Sequence, residues 1–350
     1  MQISNLHRLL VLEVCILSEY TKDPLEILLM KAGSNDLESL DFAISVPLSR
    51  LEILDVSDNR LSFIDLAEVP HLKNLKLDRN SLATIESVRN SRHLETLSWR
   101  EQSLIPAYGF SAQQYQHCHE VRNLYLSGNT ISTFTPLTAF LNLQSLELAS
   151  AGLQTLSSDF GLRCPNLRVV NLNYNAIRDL RPLLGIMRLQ RLSLIGNRVA
   201  RLRRTAAVID RLGEELLHID LRNNPLTTGF YMPQESSHTE RRLVPRVVSQ
   251  KFVDDKRDAA GIAAKAYSLG PLDKEADSAS RERLDEDTKL RRRVYEMLIV
   301  NACKTLEQLD GLDVDREKVG RKDDVWERLV ELGVLKEKRK SNGETGVESL

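Results

Sequence analysis

Leucine and isoleucine recur along the chain at a fixed spacing that fits neither a long helix nor a long strand. Each unit follows the pattern L-x-x-L-x-L-x-x-N-x-L-x-x-L, and its central L-x-L has the alternation of a short β-strand. The leucines of this strand then face a core, while the x positions face outward. Eight copies are in register, beginning at Leu51, Leu72, Leu94, Val121, Leu143, Leu167, Leu189 and Leu216.

Successive units begin 21 to 27 residues apart, within the roughly 20–29 residues of leucine-rich repeats. A single unit leaves its apolar face exposed, so such units are stable only when stacked. The sequence therefore predicts an α/β solenoid, a leucine-rich-repeat horseshoe with parallel strands on its concave face and a helical C-terminal cap. The asparagine of each unit follows the strand, where its amide can bond turn backbone. Gln102 and Ala151 replace it in two units.

The pattern divides the chain into five parts. We interpret residues 1–50 as degenerate N-terminal repeats, 51–226 as leucine-rich repeats, 227–280 as an insertion that is partly helical or disordered, 281–336 as a helical cap and 337–350 as a disordered tail. No polar N-terminal cap is evident. Either the solenoid starts abruptly or the chain is the C-terminal part of a longer protein, and we favour the second interpretation. Within the insertion, the Ala- and charge-rich stretch Asp254–Leu269 predicts a helix that ends at Gly270-Pro271.

The cap is predicted from helical periodicity. Apolar residues at three- or four-residue spacing form two stripes, Leu290, Val294 and Leu298 in the first and Val325, Leu329 and Leu332 in the second. The adjacent run Arg291–Arg293 could mark the site of an acidic partner or a phosphate, but such a run is more often the solvated face of a capping helix, which is our interpretation. The sequence Leu306-x-x-Leu309-Asp310-Gly311, with Tyr295 upstream, resembles the closing turn of an intracellular leucine-rich-repeat cap. Such a cap would cover the open edge of the last repeat.

Composition is that of a globular protein with an aliphatic core, since 42% of residues are hydrophobic but only 5% aromatic. The net charge of −1 gives no electrostatic reason to expect nucleic acid or an anionic membrane as the main partner. The apolar stretch Leu9–Leu17 is too short to span a bilayer. The four cysteines, Cys15, Cys118, Cys164 and Cys303, show no CxxC spacing. We expect thiols in a reducing compartment, cytosol or nucleus.

The sequence contains no recognisable motif for catalysis or for binding a cofactor. We find no nucleophile elbow, phosphate-binding loop, paired-carboxylate motif or metal-ligand set, so we expect neither an enzyme nor a cofactor. His117, Cys118 and His119 lie together in the third unit, but no second cluster would complete a tetrahedral zinc site. We interpret them as part of an ordinary surface loop.

Three stretches carry a more specific resemblance. They read Asn224-Pro-Leu-Thr-Thr-Gly-Phe-Tyr-Met-Pro233, Leu284-Asp-Glu-Asp-Thr-Lys-Leu-Arg-Arg-Arg-Val-Tyr-Glu-Met-Leu298 and Arg321-Lys-Asp-Asp-Val-Trp-Glu-Arg-Leu-Val-Glu-Leu-Gly-Val-Leu335. With the repeats, they resemble the C-terminal region of fungal centriolin-like scaffolds of the septation initiation and mitotic exit networks. The resemblance implies a signalling adaptor at the spindle pole body whose protein partners are spindle-pole components and a small-GTPase/kinase module. Family members also carry a long N-terminal region, which is missing here, so targeting or dimerisation through the repeats is the role this chain would retain.

Other adaptors with the same repeat length remain alternatives. They include regulatory subunits of protein phosphatases and the spliceosomal leucine-rich-repeat protein that holds an RNA-binding partner. In those proteins the link from the last repeat to the capping tyrosine is short, whereas 69 residues separate Leu226 from Tyr295 here. The outward strand positions are also mixed in charge, while a phosphatase regulator would show acidic and aromatic rows.

The outward strand positions are the predicted partner-binding surface, because partners of such solenoids usually dock on the concave face. We select Asp55, Lys76, Arg100, Tyr125, Asn171, Asn173, Tyr174 and Arg222. Tyr125 and Tyr174 are expected to be exposed, since tyrosines on a rigid surface are favoured anchors for protein partners. Trp99 stands at a core leucine position and is expected to fill space inside the third repeat.

Overall fold

A computed structural model describes residues 13–16, 27–38, 40, 50–83, 85, 88–102, 118–131, 140–212, 215–232 and 267–335 of the 350-residue chain. Its main feature is one sheet of twelve strands that follow one another in sequence order. The strands are Glu13–Ile16 (β1), Ile27–Lys31 (β2), Ile53–Asp55 (β3), Asn74–Lys76 (β4), Thr96–Ser98 (β5), Asn123–Tyr125 (β6), Ser145–Glu147 (β7), Val169–Asn171 (β8), Arg191–Ser193 (β9), His218–Asp220 (β10), Gln308–Leu309 (β11) and Leu312–Asp313 (β12).

Strands β2 to β11 are parallel, and each repeat adds one of them to the sheet. Only the two ends differ, because β1 pairs antiparallel with β2 and β12 pairs antiparallel with β11. The register is the one that the repeat pattern predicts, with Leu54 opposite Leu75 and Leu75 opposite Leu97. The predicted horseshoe with parallel strands and a helical cap is confirmed.

The core is a continuous stack of aliphatic side chains behind the sheet. The central residue of each repeat strand from β3 to β10 is buried, as with Leu54, Leu124 and Leu146. Trp99 is half-buried and packs against this stack. Every repeat rests on its neighbours, so the apolar faces that the units leave open are covered only in the stack.

Buried asparagines tie each turn to the next repeat. The amide nitrogen of Asn59 donates to the carbonyls of Ala32 at 2.8 Å and Val56 at 2.9 Å, and its Oδ1 accepts from the amide of Leu37 at 3.1 Å. Equivalent bonds are made by Asn80, Gln102, Asn129, Asn175, Asn197 and Asn224. The ladder therefore satisfies carbonyls and amides that the three-residue strands leave unpaired.

Ala151 interrupts this ladder, and neighbouring groups replace the missing amide. The amide of Ile131 would ordinarily donate to an asparagine side chain in the next repeat, and here it donates to the carbonyl of Ala151 at 2.9 Å. The Oδ1 atom of Asn175 accepts from the amides of both Ala151 and Leu153, at 3.1 and 3.0 Å. The backbone of the turn is thus satisfied without a polar side chain at position 151.

In the described part of the chain, helices are few in the repeats and dominate the C-terminal part. The α-helices described there are Phe160–Arg163 (α1), Leu202–Arg211 (α2), Lys274–Glu282 (α3), Glu286–Ala302 (α4), Arg316–Gly320 (α5) and Asp324–Glu331 (α6). Single 3-10 turns lie at Val88–Asn90, Arg181–Leu183 and Pro225–Thr227. The predicted helix over Asp254–Leu269 lies outside the described residues up to 266, and residues 267–269 are not helical.

Helix α4 is the centre of the cap and packs against α2, α5 and α6. It begins at the N-cap Asp285, whose side chain accepts from the amide of Thr288 at 2.9 Å. The expected solvated face is wrong for Arg292 and Arg293, which are 1% and 4% exposed. Arg292 donates to the Asp277 carboxylate at 2.7 Å and to the carbonyl of Phe230 at 2.8 Å. A buried guanidinium is tolerated here because acceptors surround it.

Candidate protein-binding surface

Of the eight predicted partner-binding residues, Asp55, Lys76, Tyr125 and Asn171 end strands of the sheet and form one outward row. Arg100, Asn173 and Arg222 form a second row two residues beyond the strand ends, and Tyr174 lies in the turn after β8. The pairing of the strands places Asp55 beside Lys76, and Tyr125 two strands from Asn171. Asp55 and Lys76 are half-buried and their charged groups are 3.7 Å apart. Parallel in-register pairing makes rows of equivalent positions, so residues distant in sequence share one continuous surface.

Arg100 is the centre of a buried group of charges on this surface. Its guanidinium contacts both carboxylate oxygens of Glu147, Nε–Oε1 at 2.7 Å and Nη2–Oε2 at 3.1 Å, and its Nη1 lies 3.1 Å from Asp78 Oδ2. Burial acts to lower the pKa of Arg100, but the hydrogen bonds and charges of Glu147 and Asp78 raise it above its ordinary value. Arg100 therefore serves the packing of the sheet surface and is only 3% exposed.

Tyr125 is buried, and the expectation that it is exposed is wrong. The guanidinium carbon of Arg100 lies 4.4 Å from the centre of the Tyr125 ring, and the tyrosine is 8% exposed. A cation held over the face of an aromatic ring is attracted by the ring quadrupole. Tyr174 is half-buried, at a positive φ of 58°. Whether these residues contact a partner stays a prediction.

Residues 267–272, here called the strap, cross the same surface. The Tyr267 hydroxyl donates to Glu101 Oε1 at 2.5 Å, and the Tyr267 carbonyl accepts from Asn173 Nδ2 at 2.7 Å. Farther along, Arg222 Nη1 donates to the carbonyl of Gly270 at 2.9 Å. The amide of Leu272 then donates to the carbonyl of Gly311 in the cap at 3.0 Å. The repeats thus hold a short piece of their own chain through side chains of two predicted site residues, Asn173 and Arg222.

The fit of Tyr267 depends on a glycine beneath it. Gly128 has φ +76°, and a Cβ atom there would lie 2.4 Å from the Tyr267 hydroxyl oxygen. A glycine both adopts this backbone conformation without strain and leaves room for the ring. Tyr267 is consequently 1% exposed. Burial and the neighbouring Glu101 carboxylate raise the pKa of Tyr267 above its ordinary value, so its hydroxyl stays protonated and remains a donor.

A second polar cluster joins the cap to the surface formed by the outward positions of repeat strands β3 to β10, which we call the strand face. Asp310 accepts hydrogen bonds from the hydroxyls of Tyr231 and Tyr295, both at 2.7 Å, and from the amide of Leu221 at 2.6 Å. Burial, together with the charge of Asp220, raises the pKa of Asp310 to about 7 despite these three donors. The cluster fixes the closing turn that the sequence predicts around Leu306–Gly311.

No group of three or more His, Cys, Asp or Glu side chains among the described residues could hold a metal ion. His117 lies outside those residues, and Cys118 is buried, with its pKa raised to about 11 by burial. Among the described helices, none has the length and apolar character needed to cross a membrane.

The stacked parallel strands, the asparagine ladder and the capping turn define a leucine-rich-repeat protein with a C-terminal cap. Over 256 residues the chain is 31% identical to the septation initiation network scaffold protein cdc11 of Schizosaccharomyces pombe. The match covers 72% of this chain and 23% of that protein, so the chain spans less than a quarter of its relative's length. This similarity confirms the resemblance to fungal septation initiation scaffolds predicted from the sequence.

Other similarities concern the repeats. The chain is 34% identical over 145 residues to the leucine-rich repeat-containing G-protein coupled receptor 5 of Xenopus tropicalis, covering 40% of this chain and 16% of the receptor. An internalin of Listeria monocytogenes superposes with a TM-score of 0.45 at 17% identity, over 56% of this chain and 61% of that one. A leucine-rich-repeat protein of Leptospira interrogans gives 0.39 at 19% identity, over 49% of each chain. No protein-family profile matches the sequence.

Sequence reasoning missed the strap and the buried ionic group. Tyr267 falls in the predicted insertion, far in sequence from the repeats that it contacts, and no local pattern marks it. The pair Asp78 and Arg100 had a weak signal, because these opposite charges occupy equivalent outward positions of neighbouring repeats. Aligning the outward rows by charge would have identified this pair, whereas Glu147 lies two repeats from Arg100 in the other row and has no such signal.

Proposed function

We propose that this chain is the protein-binding part of a signalling scaffold of the septation initiation or mitotic exit network, located at the spindle pole body. The similarity to cdc11, which is named as a scaffold of this network, supports the proposal. The similar proteins are named as a scaffold and as receptors, so we propose binding rather than catalysis. The partners are spindle-pole components and a small-GTPase/kinase signalling module.

The observation that carries a protein-binding role for the strand face is the strap. Asn173 and Arg222 bind its backbone carbonyls, and Gly128 leaves space for its tyrosine ring. Hydrogen bonds to backbone carbonyls do not depend on the sequence of the bound segment, so the same donors suit another extended polypeptide. We propose that this face docks an extended segment of a partner protein.

While the strap is in place, we propose that a partner protein contacts the part of the strand face that the strap leaves uncovered. Asp55 and Lys76 are half-buried in the first repeats, and Asn171 and Tyr174 are half-buried near the middle. Arg100, Tyr125, Asn173 and Arg222 are buried, and their role is to hold the surface and the strap. A partner that binds Asn173 or Arg222 in place of the strap has to displace the strap first.

The test is live-cell imaging of the chain fused to a fluorescent protein in a fungal cell with a marked spindle pole. We compare the wild type with Asp55→Lys, which breaks the Asp55–Lys76 pair, and with the exchange Asp55→Lys with Lys76→Asp, which changes the surface but can restore a pair. An Arg92→Glu variant is the control, because Arg92 is exposed in the turn before β5 and outside the two outward rows.

Foci at the pole that are lost in both surface variants and kept in Arg92→Glu support docking on the strand face. Loss in Asp55→Lys alone would trace the effect to the broken ion pair and contradict a contact there. Foci retained in every variant would place the docking surface elsewhere. A diffuse wild-type signal would contradict targeting by the repeats and cap.

A further inference from the structure

A segment rich in positive charge runs from the end of repeat strand β8 through helix α2. The segment from Arg178 to Arg211 contains nine arginines but only two acidic residues, Asp179 and Asp210, in a chain whose net charge is −1. All nine arginines are exposed: Arg178, Arg181, Arg188, Arg191, Arg198, Arg201, Arg203, Arg204 and Arg211. Among the described residues, only Arg181 of the nine forms an ion pair with an acidic side chain. The chain therefore keeps eight guanidinium groups on one segment without acidic partners from its described part.

The positive charge of this region is carried by arginine alone. No lysine occurs anywhere between residues 77 and 250. A guanidinium presents a planar fork of donors that matches carboxylate and phosphate oxygens in pairs, whereas an ammonium acts as a point charge. A surface needed only for solubility would tolerate either residue. The composition favours recognition of oxyanions.

Four of these arginines surround a cavity of about 210 Å³. Arg178 comes from one turn, Arg198 and Arg201 from the next, and Arg204 from the first turn of α2. The lining also includes Leu180, Ala200, Thr205, Val208 and Asp179. The Asp179 carboxylate is engaged by Arg181, with Oδ2 2.5 Å from Nη2 and 2.7 Å from Nε. The hydrogen bonds of Arg181 lower the pKa of Asp179, and the charges of Arg181 and Arg204 add to this effect. Since a water molecule takes about 30 Å³ in the liquid, the cavity has room for an oxyanion and part of the group that bears it.

Helix α2, which forms one side of this cavity, is packed against the rest of the protein. Helix α2 buries Thr205, Val208 and Ile209 against the repeats, and it packs on the cap helix α4. Its outer face carries Arg203 and Arg204. The backbones that bear the arginines are therefore fixed by a packed core, so little ordering of the chain is needed when an anion binds.

We propose that the cavity lined by Arg178, Arg198, Arg201 and Arg204 binds a phosphorylated segment of a partner protein. A phosphate group supplies close to two negative charges and three strong acceptor oxygens, which several guanidinium forks can share. The site is separate from the strand face, because none of its four arginines contacts the strap. A partner can occupy it whether or not the strap is in place.

Two other polyanions fit the surface less well. No Phe, Trp or Tyr occurs between residues 175 and 229, so the segment lacks the aromatic side chains on which unpaired bases stack. Met187 is the one large hydrophobic residue of segment 178–211 that is exposed, and it does not line the cavity, so the segment offers little apolar surface for insertion into a membrane interface. A single concave site lined by four arginines, with Leu180, Ala200 and Val208 between them, suits one phosphate group on a flexible polypeptide.

The experiment is a fluorescence-anisotropy titration of the full chain with a labelled Gly/Ser peptide that contains one phosphothreonine next to acidic residues. The unphosphorylated twin of this peptide is titrated in parallel. We expect the phosphopeptide to bind about tenfold more tightly than its twin or better, because each charge-assisted hydrogen bond to phosphate contributes on the scale of a tenfold change in affinity. Equal binding of both peptides would overturn the proposal.

Three variants assign the binding to the cavity. Arg198→Ala with Arg204→Ala removes two lining guanidinium groups and should weaken phosphopeptide binding about tenfold or more. Arg122→Ala with Arg168→Ala removes the same charge from exposed positions that do not line the cavity, and it should change binding little. Arg198→Lys with Arg204→Lys keeps the charge but loses the forks, and we expect an intermediate affinity.

Thermal unfolding followed by circular dichroism checks that each variant is folded. If both alanine variants lost the same amount of phosphopeptide affinity, the binding would depend only on the total charge of the chain. That result would overturn the proposed site. Vesicles containing phosphatidylserine and a single-stranded RNA are titrated as competitors. Displacement of the phosphopeptide by either of them at lower concentration than by unlabelled phosphopeptide would assign the segment to that polyanion and overturn the proposal. Because these measurements use neither the strand face nor the spindle pole, they can fail independently of the function proposed above.

Discussion

The hydroxyl of Tyr267 lies 2.5 Å from a carboxylate oxygen of Glu101, although the two residues are 166 positions apart in the chain. This contact brings a segment that follows the repeats back onto their strands. The Tyr267 carbonyl meets Asn173, and Leu272 meets the cap at Gly311, so the segment bridges the middle of the solenoid and its C-terminal end. The strand face of this protein is consequently already in contact with polypeptide.

Truncating Tyr267 should release the strap. In Tyr267→Ala the buried ring and its hydrogen bond are both lost, so amide hydrogen exchange should accelerate over residues 267–272, including the amide of Leu272. In Tyr267→Phe the ring remains and only the hydrogen bond to the Glu101 carboxylate is lost, which costs about 1.5–3 kcal/mol. The amide protons of Tyr267→Phe should therefore exchange faster than those of the wild type and more slowly than those of Tyr267→Ala. Exchange in both variants at the wild-type rate would contradict the contact.

Asp310 should make stability depend on pH between about 4 and 7. Burial raises its pKa to about 7 in the folded chain, whereas an unfolded aspartate titrates near 3.9. The folded state therefore binds this proton more tightly, and its contribution is fully present below about pH 4 and lost as pH rises to about 7. The free energy of unfolding should fall over this interval.

Urea unfolding of the wild type and of Asp310→Asn at about pH 5 and about pH 8 measures this dependence. The asparagine does not titrate, and the hydroxyls of Tyr231 and Tyr295 can turn to accept from its amide. We expect a smaller difference between the two pH values in the variant. The exposed Asp210→Asn substitution is the control and should keep the wild-type difference.

Breaking the buried ionic group should be costly. Arg100→Leu leaves Glu147 and Asp78 buried without their partner, and removing one member of a buried pair costs about 3–5 kcal/mol. Arg181→Leu breaks the exposed Arg181–Asp179 pair, where we expect about 1 kcal/mol or less. The midpoints of urea unfolding compare the two. Equal losses would mean that water reaches Arg100 in solution.

Leu172→Ala tests the stack of the repeats. Leu172 is 0% exposed, and truncating a buried leucine costs about 2–5 kcal/mol through lost burial and the cavity left behind. Val169→Ala, three residues earlier in the same repeat, removes a side chain that is 36% exposed, and we expect a change near or below about 0.5 kcal/mol. Chemical unfolding of both variants gives the comparison, and a loss in Leu172→Ala no larger than in Val169→Ala would contradict the burial.

The repeat pattern was sufficient to predict the architecture, because the relevant physics is local and periodic. Leu54 and Leu75 occupy equivalent positions of successive units, so stacking the units places them side by side whatever the intervening residues are. The turn asparagines follow from the same period. The sequence also shows that Ala151 is an exception to this pattern. Only the structure shows that hydrogen bonds to the Ala151 carbonyl and to the Asn175 side chain satisfy the backbone of this turn without an asparagine at position 151.

Exposure was the property that the sequence predicted least well. Tyr125 and Arg100 stand at outward strand positions, yet each buries the other, and Glu147 from another repeat completes the group. Arg292 lies in a run of charges but is enclosed by Asp277 and the carbonyl of Phe230. In each case burial depends on side chains brought from far along the chain.

By itself, the sequence determined the register of the repeats, the aliphatic core and the position of the closing turn, since these depend on spacing within one unit and on contact between neighbours. Only the tertiary structure decided that Tyr267 occupies the strand face and that Arg178, Arg198 and Arg204 surround one cavity. Those contacts join segments with no common period, and their geometry is fixed by the packed solenoid rather than by any local preference of the chain.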